Sequence, residues 1–171
     1  EKIEGPMDFS SKNFMSLKDQ HAFMKQIVFP ESVPNDGRLA LSNEDYSMLY
    51  REMSILPRQS KYPKYNSSYY DGYCKFFVYG DNRDTIPDNV KIFNKVGQAY
   101  GFILDNAYII DLKNKVEFIL TAVVYHNNNE TMNDNNYEYD SISIPFLAKL
   151  GRSIFNFEQN RKKEHLPLLD R

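Results

Sequence analysis

Between residues 90 and 125 the chain carries three apolar runs separated by short polar breaks, and this arrangement limits the possible fold more than any other feature. The runs are Val90 to Val96, Ala99 to Asp111 and Val116 to Tyr125. Each is rich in Val, Ile, Phe or Tyr, the residues that suit a pleated, half-buried surface. Asp111-Leu112-Lys113-Asn114-Lys115 reads as a hairpin turn between the second and third runs. The expected unit is a three-stranded antiparallel meander. The run Val116 to Tyr125 is nearly continuous in apolar character, the pattern of an interior strand covered on both faces.

Helical signals flank this unit. Ser16-Leu17-Lys18-Asp19 is a helix start with Ser16 as N-cap, and Leu17, Phe23, Met24, Ile27 and Val28 supply an apolar face before Pro30 stops it. Ser42-Asn43-Glu44-Asp45 is a second capping signature. Tyr46, Leu49, Tyr50, Met53 and Leu56 follow at spacings of three and four, and Pro57 ends the helix. Residues 57 to 68 read as loop, Tyr69 to Phe77 as a short helix, Gly80 to Asn89 as a turn region, and the Asn-rich stretch 127 to 136 as a solvated loop. Ile142 to Phe157 forms a closing helix, with Pro145 in its first turn and Arg161-Lys162-Lys163 past its end, where positive charge suits the helix dipole. The fold class is therefore α+β, in a single domain over 1–171: an irregular lead-in (1–15), a helical part (16–80), the sheet (90–125) and a closing helix (141–158) packed on it.

Composition narrows the function. The net charge is −2, and there is no basic stripe of the kind that binds nucleic acid. No run approaches the ~18 apolar residues of a membrane span. The single cysteine, Cys74, forms no internal disulfide and reads as a small buried hydrophobe among aromatics. His21, His126 and His165 lack metal-ligand spacing, so neither a metal nor another cofactor is expected. Asp111 reads as turn chemistry and Asp105 as a structural hydrogen-bonding group. The chain has 13 tyrosines. The clusters Tyr62-Pro63-Lys64-Tyr65 and Tyr69-Tyr70 read first as packing, with cleft lining or glycan binding as the other use.

The candidate site is Lys95-Val96-Gly97-Gln98. A lysine and a glycine two residues apart at a strand margin place an ammonium beside bare main chain, where a ligand can approach closely. With the strands that follow, Tyr100-Gly101-Phe102, Asp105-Asn106-Ala107-Tyr108-Ile109 and Phe118-Ile119-Leu120-Thr121-Ala122-Val123, and with the helix over Asn13 to Phe29, this motif resembles the C-terminal half of the class A beta-lactamase-like, penicillin-recognising serine hydrolases. In that family a strand carrying Lys-Thr/Ser-Gly is followed by two more strands and a last helix packed on the sheet. The resemblance spans roughly residues 10 to 158. It implies that Lys95 holds a substrate anion, that Gly97 gives clearance, and that the Gln98 N–H supplies half of an oxyanion hole. It also implies a small-molecule or cell-wall-like substrate and a periplasmic or cell-surface location.

Two departures shape the expectation. Val96 stands where the family has a hydroxyl, so one hydrogen bond to a substrate carboxylate is lost. No lysine has a serine three residues before it, so the family's Ser-x-x-Lys nucleophile is absent. Ser11-Lys12-Asn13 matches Ser-x-Asn but lies just before the first helix, whereas the family's lies well upstream. The expectation is a C-terminal portion of a larger protein, inactive alone. Its apolar sheet edge would be covered by the missing half of the fold or by another chain. The rival is a non-catalytic binding or assembly module that keeps the fold, and a small-molecule sensor domain is a third reading.

Overall fold

The computed structural model describes residues 10–167. Residues 1–9, most of the expected lead-in, lie outside the described residues. The first helix, α1 (Leu17–Val28), starts at Ser16, whose hydroxyl accepts the Asp19 amide at 3.1 Å. The second, α2 (Asn43–Ser54), starts with a full capping box: Ser42 Oγ accepts the Asp45 amide, and Asp45 Oδ2 accepts the Ser42 amide at 2.9 Å. These reciprocal bonds satisfy amides that the helix itself leaves unpaired.

A short helix follows in the expected place, but it is not a regular one. The chain makes a 3₁₀ turn over Asp71–Cys74 and then a four-residue segment, α3 (Phe76–Tyr79), in which Phe77 and Val78 leave helical geometry. Val78 has φ 72 and ψ −51, close to a γ-turn. The cause is burial: Phe76, Phe77 and Val78 are all inside, and three consecutive buried side chains do not fit one face of a helix.

The sheet is the expected meander: β1 (Val90–Ala99), β2 (Phe102–Asp111) and β3 (Val116–Tyr125), antiparallel, in the order β1-β2-β3. The register pairs Val90 with Asp111, Ala99 with Phe102, and Phe102 with Tyr125. The first strand runs three residues past Val96, and the second starts at Phe102 rather than Ala99. The break is a two-residue turn, Tyr100-Gly101, with φ 51 and 85. Two positive φ values are what a right-twisting hairpin requires. The Gly101 amide donates to the Tyr139 hydroxyl at 2.7 Å, which ties the turn to the start of the last helix. The other turn is closed by Asp111, whose carboxylate accepts from the Asn114 amide and from the side chains of Asn114 and Asn89.

The strand expected in the interior, β3, is an edge strand in the described residues, and β2 holds the centre. Ile103, Ala107, Ile109 and Ile110 of β2 are fully buried because both sheet faces are covered. On one face α1 brings Met24, Ile27 and Val28, and α2 brings Leu49 and Met53, against Phe93, Tyr108 and Ile110. On the other, α3 and the C-terminal helix α4 (Ile144–Asn160) bring Phe76, Phe77, Ile144 and Leu147 against Ile92, Ile103 and Ile109. A π turn at Tyr139–Ser143 leads into α4, and Lys163 donates to the Glu158 carbonyl near its end, as the basic run predicts.

Replacing Gly101 by Ala would put a Cβ 2.8 Å from the His126 carbonyl oxygen at a φ that L residues rarely adopt. Urea unfolding should register a loss of roughly 1–3 kcal/mol. At Gly97 a Cβ meets nothing nearer than Leu104 Cβ at 4.0 Å, so Gly97→Ala should leave the midpoint nearly unchanged.

Candidate functional site

Lys95 and Val96 line a cleft of about 340 Å³ at the outer edge of β1. Three further walls close it. One is the end of α2 and the residues after it, Glu52 to Pro57; one is the loop carrying Ser60, Tyr62 and Tyr65; one is the segment Tyr73 to Lys75. Gly97 and Gln98 lie further along the strand, exposed and outside this lining. The strand therefore brings two of the four candidate residues to the cleft and carries the other two past it. Lys95 Nζ donates to the Val96 carbonyl at 2.6 Å. Val96 also packs against the α3/α4 core, which accounts for an apolar residue there.

Beneath these walls runs a buried polar chain. Lys75, only 5% exposed, donates to the Met53 carbonyl at 2.6 Å and to Asn94 Oδ1 at 2.7 Å. Asn94 in turn donates to the Cys74 carbonyl at 2.7 Å and to Asp105 Oδ1 at 2.9 Å. Asp105 is fully buried on the neighbouring strand, and its other oxygen accepts the Phe77 amide. One ammonium therefore joins the end of α2, its own segment and β1, which are three of the four cleft walls. The fourth is anchored by Arg58, which grips both oxygens of buried Asp71 at 3.1 and 2.9 Å, while Asp71 also accepts the Ile86 amide.

Burial penalises both ions of this chain. It lowers the Lys75 pKa to about 8, against the opposing pull of Asp105. It raises that of Asp105 to about 6, although bonds from Asn94 and Phe77 favour the charged form. The structural role expected for Asp105 is what the geometry gives it. Lys75 and Asn94 are the residues that sequence reasoning missed. The signal was a lysine inside the otherwise apolar stretch Phe76-Phe77-Val78 and its upstream aromatics, and an asparagine inside the strand run Ile92-Phe93-Asn94.

Cys74 is exposed on the cleft wall, not buried as expected, because the 3₁₀ turn sends the neighbouring Lys75 inward in its place. Desolvation holds the thiol pKa above its ordinary value, so the thiol stays protonated near neutrality. Ser60 gives its hydroxyl to the Pro63 carbonyl at 2.8 Å. Within the cleft, no described serine or cysteine is hydrogen-bonded to a base. His21 is elsewhere, on α1, with Nδ1 3.0 Å from Thr121 Oγ1; Thr121 gives its own proton to Asn106, so the imidazole is the donor in that pair. His126 stands 3.6 Å from Glu138. Among the described residues no three His, Cys, Asp or Glu side chains come together as a metal site, and no helix is long and apolar enough to cross a membrane.

The arrangement offers a tyrosine-flanked cleft with a polar floor, in whose lining Lys75 and Lys95 are set against Glu52 and Asp71. It can hold an anion at Lys95 and aromatic or hydroxylated groups against the tyrosines. Comparison of the chain with protein-family models, curated proteins and solved structures finds no match.

The pKa directions set a testable pH response. A carboxyl held above its unfolded pKa contributes stability below about pH 3.8 and loses it as pH rises through about 6. Asp105→Asn removes this dependence. Between pH 4 and 6, where Lys75 is protonated in both states, the variant should gain on the wild type by up to about 1.4 kcal/mol per pH unit in chemical unfolding. Lys75 acts in the opposite direction: its depressed pKa makes the fold more stable as pH rises from about 8 toward 10.5, a rise that Lys75→Met should lack.

Proposed function

We propose that this chain supplies the anion-holding wall of an acyl-transfer site of the beta-lactamase-like serine hydrolases, and that it is inactive alone. The observation that carries the reading is the placement of Lys95, a strand-borne cation, in the lining of a cleft, with open space beside Gly97 two residues further along the strand. The element order supports it: two capped helices, a meander whose first strand bears the Lys-x-Gly triplet, and a helix packed on the sheet. In this reading Lys95 neutralises a substrate carboxylate, the main chain at Gln98 donates to the developing oxyanion, and the attacking serine comes from polypeptide beyond the described residues. The partner of that polypeptide on this chain is the outer edge of β3, an edge strand in the described residues, whose main-chain groups not bonded to β2 are open to an added strand.

One observation favours a second reading, a binding or assembly module without chemistry. Val96 turns into the core and presents no hydroxyl to a ligand, so the cleft binds anions through charge alone.

Two measurements test the acyl-transfer reading. Benzylpenicillin added to the ¹⁵N-labelled chain should shift the amides of Lys95, Val96 and Gly97, and Lys95→Gln should abolish the response. A fluorescent penicillin should leave no stable adduct on the chain. Shifts confined to other regions, or a serine of this chain acylated, would overturn the acyl-transfer reading.

A further inference from the structure

The tyrosines beside the cleft follow a pattern that anion binding at Lys95 does not use. Five tyrosines spend their hydroxyls inside the protein: Tyr50 on the Ile27 carbonyl, Tyr70 on the Gly80 carbonyl, Tyr108 on Glu117, Tyr137 on the Asn133 amide and Tyr139 on the Gly101 amide. The hydroxyls of the other eight have no hydrogen-bond partner among the described residues; Tyr46, Tyr79, Tyr100 and Tyr125 lie elsewhere in the molecule, whereas Tyr62, Tyr65, Tyr69 and Tyr73 gather beside the cleft. All four are exposed, Tyr62 to 96%. Tyr65, Tyr69 and Tyr73 form a ladder with centroids 4.9 and 4.8 Å apart and planes turned by 51° and 71°.

The ladder joins two hollows. Tyr62, Tyr65 and Tyr73 line the Lys95 cleft, while Tyr73 also lines a second hollow of about 470 Å³ with Ser68, Asn82, Arg83 and Asp140. Arg83 lies over the ring of Tyr70, 5.4 Å from its centroid, which orients the guanidinium there. This second hollow is rich in planar polar groups, an amide, a guanidinium and a carboxylate. Such groups accept or donate two parallel hydrogen bonds and so match pairs of neighbouring hydroxyls.

We infer that the tyrosine ridge and its two flanking hollows form a binding track for an oligosaccharide chain. A sugar offers apolar C–H faces to a ring and hydroxyl edges to phenols, amides and carboxylates, so one ligand type satisfies every feature of the track. The turning of successive rings excludes one flat aromatic ligand spanning the ridge. It suits a chain of small rings joined by rotatable bonds. The proximity of Lys95 places an acidic sugar unit at the cleft end of the track. The inference goes beyond the acyl-transfer reading and does not need it.

Isothermal titration with chitotetraose and with tetragalacturonic acid, each against its monosaccharide, tests the track. At least one tetramer should bind ten or more times tighter than its monomer, because only a chain spans both hollows. Tyr62→Ala, a change at a ring too exposed to support the fold, should weaken the tetramer at least threefold. Tyr73→Ala should weaken it at least tenfold, with Tyr73→Phe intermediate. Tyr46→Ala, on α2 away from the ridge, should leave binding unchanged. Lys95→Gln should weaken only the acidic tetramer, and benzylpenicillin shifts at residues 95–97 report the other reading separately. The inference is overturned if neither tetramer binds, if tetramer and monomer bind alike, or if a proline-rich decapeptide binds through the same tyrosines while the sugars do not.

Discussion

One buried ammonium holds the candidate site together. Lys75 reaches from the segment after the tyrosine loop to the carbonyl that ends α2 and to an asparagine on β1, and through that asparagine to Asp105 on β2. Each partner lies on a different element, so the cleft walls keep their spacing only while this chain of bonds is intact. Its cost is substantial, since burial disfavours both the ammonium and the carboxylate. An apolar cluster could fill the same volume. It would not fix the side-chain order along β1, where Asn94 points inward and Lys95 therefore points out on the other face. Polar pinning at a single strand position fixes which face each side chain of β1 takes.

The backbone around the clamp is correspondingly irregular. Gly72 and Gly80 bracket α3 because a Cβ at either would collide with main chain, at 2.2 Å from the Tyr79 carbonyl oxygen and 2.7 Å from Phe76. Gly151 of α4 lets that helix come within reach of Val78, and Arg152 then holds both the Val78 carbonyl and Asp81. The unusual conformation of Val78 is thus gripped from two sides. Such over-determination is how a strained residue persists in a fold.

Much of this architecture was legible in the sequence where the signal is local. Ser16 and Ser42 announce their helices because capping involves residues only three apart. The continuous apolar run after the turn chemistry of Asp111 marked the third strand and its hairpin. The Tyr100-Gly101 turn was hidden because tyrosine is an uncommon bearer of positive φ and its neighbours continue the strand pattern. The central position of β2 was hidden because apolar continuity does not distinguish a strand buried in this chain from one awaiting a partner. Lys95 and Val96 could be named from a triplet, but the cleft they line depends on Lys75, Asn94 and Asp71, whose partners lie 11 to 22 residues away. Pairings across that distance leave only a faint trace: a charged or amide side chain in an apolar run.

The sheet's connectivity has a consequence for how the molecule assembles. Every strand pairs with its neighbour in sequence, so the meander closes only short loops and can form early. The attachment of α1 is different in kind: Gln20 reaches Asn106 across 86 residues, and His21 reaches Thr121 across 100. Closing those loops pays a larger entropic toll and depends on a sheet already in place. The order of events is therefore written into the topology, with the meander as template and α1 as a late cover whose amides would be the first to exchange with solvent when the fold breathes.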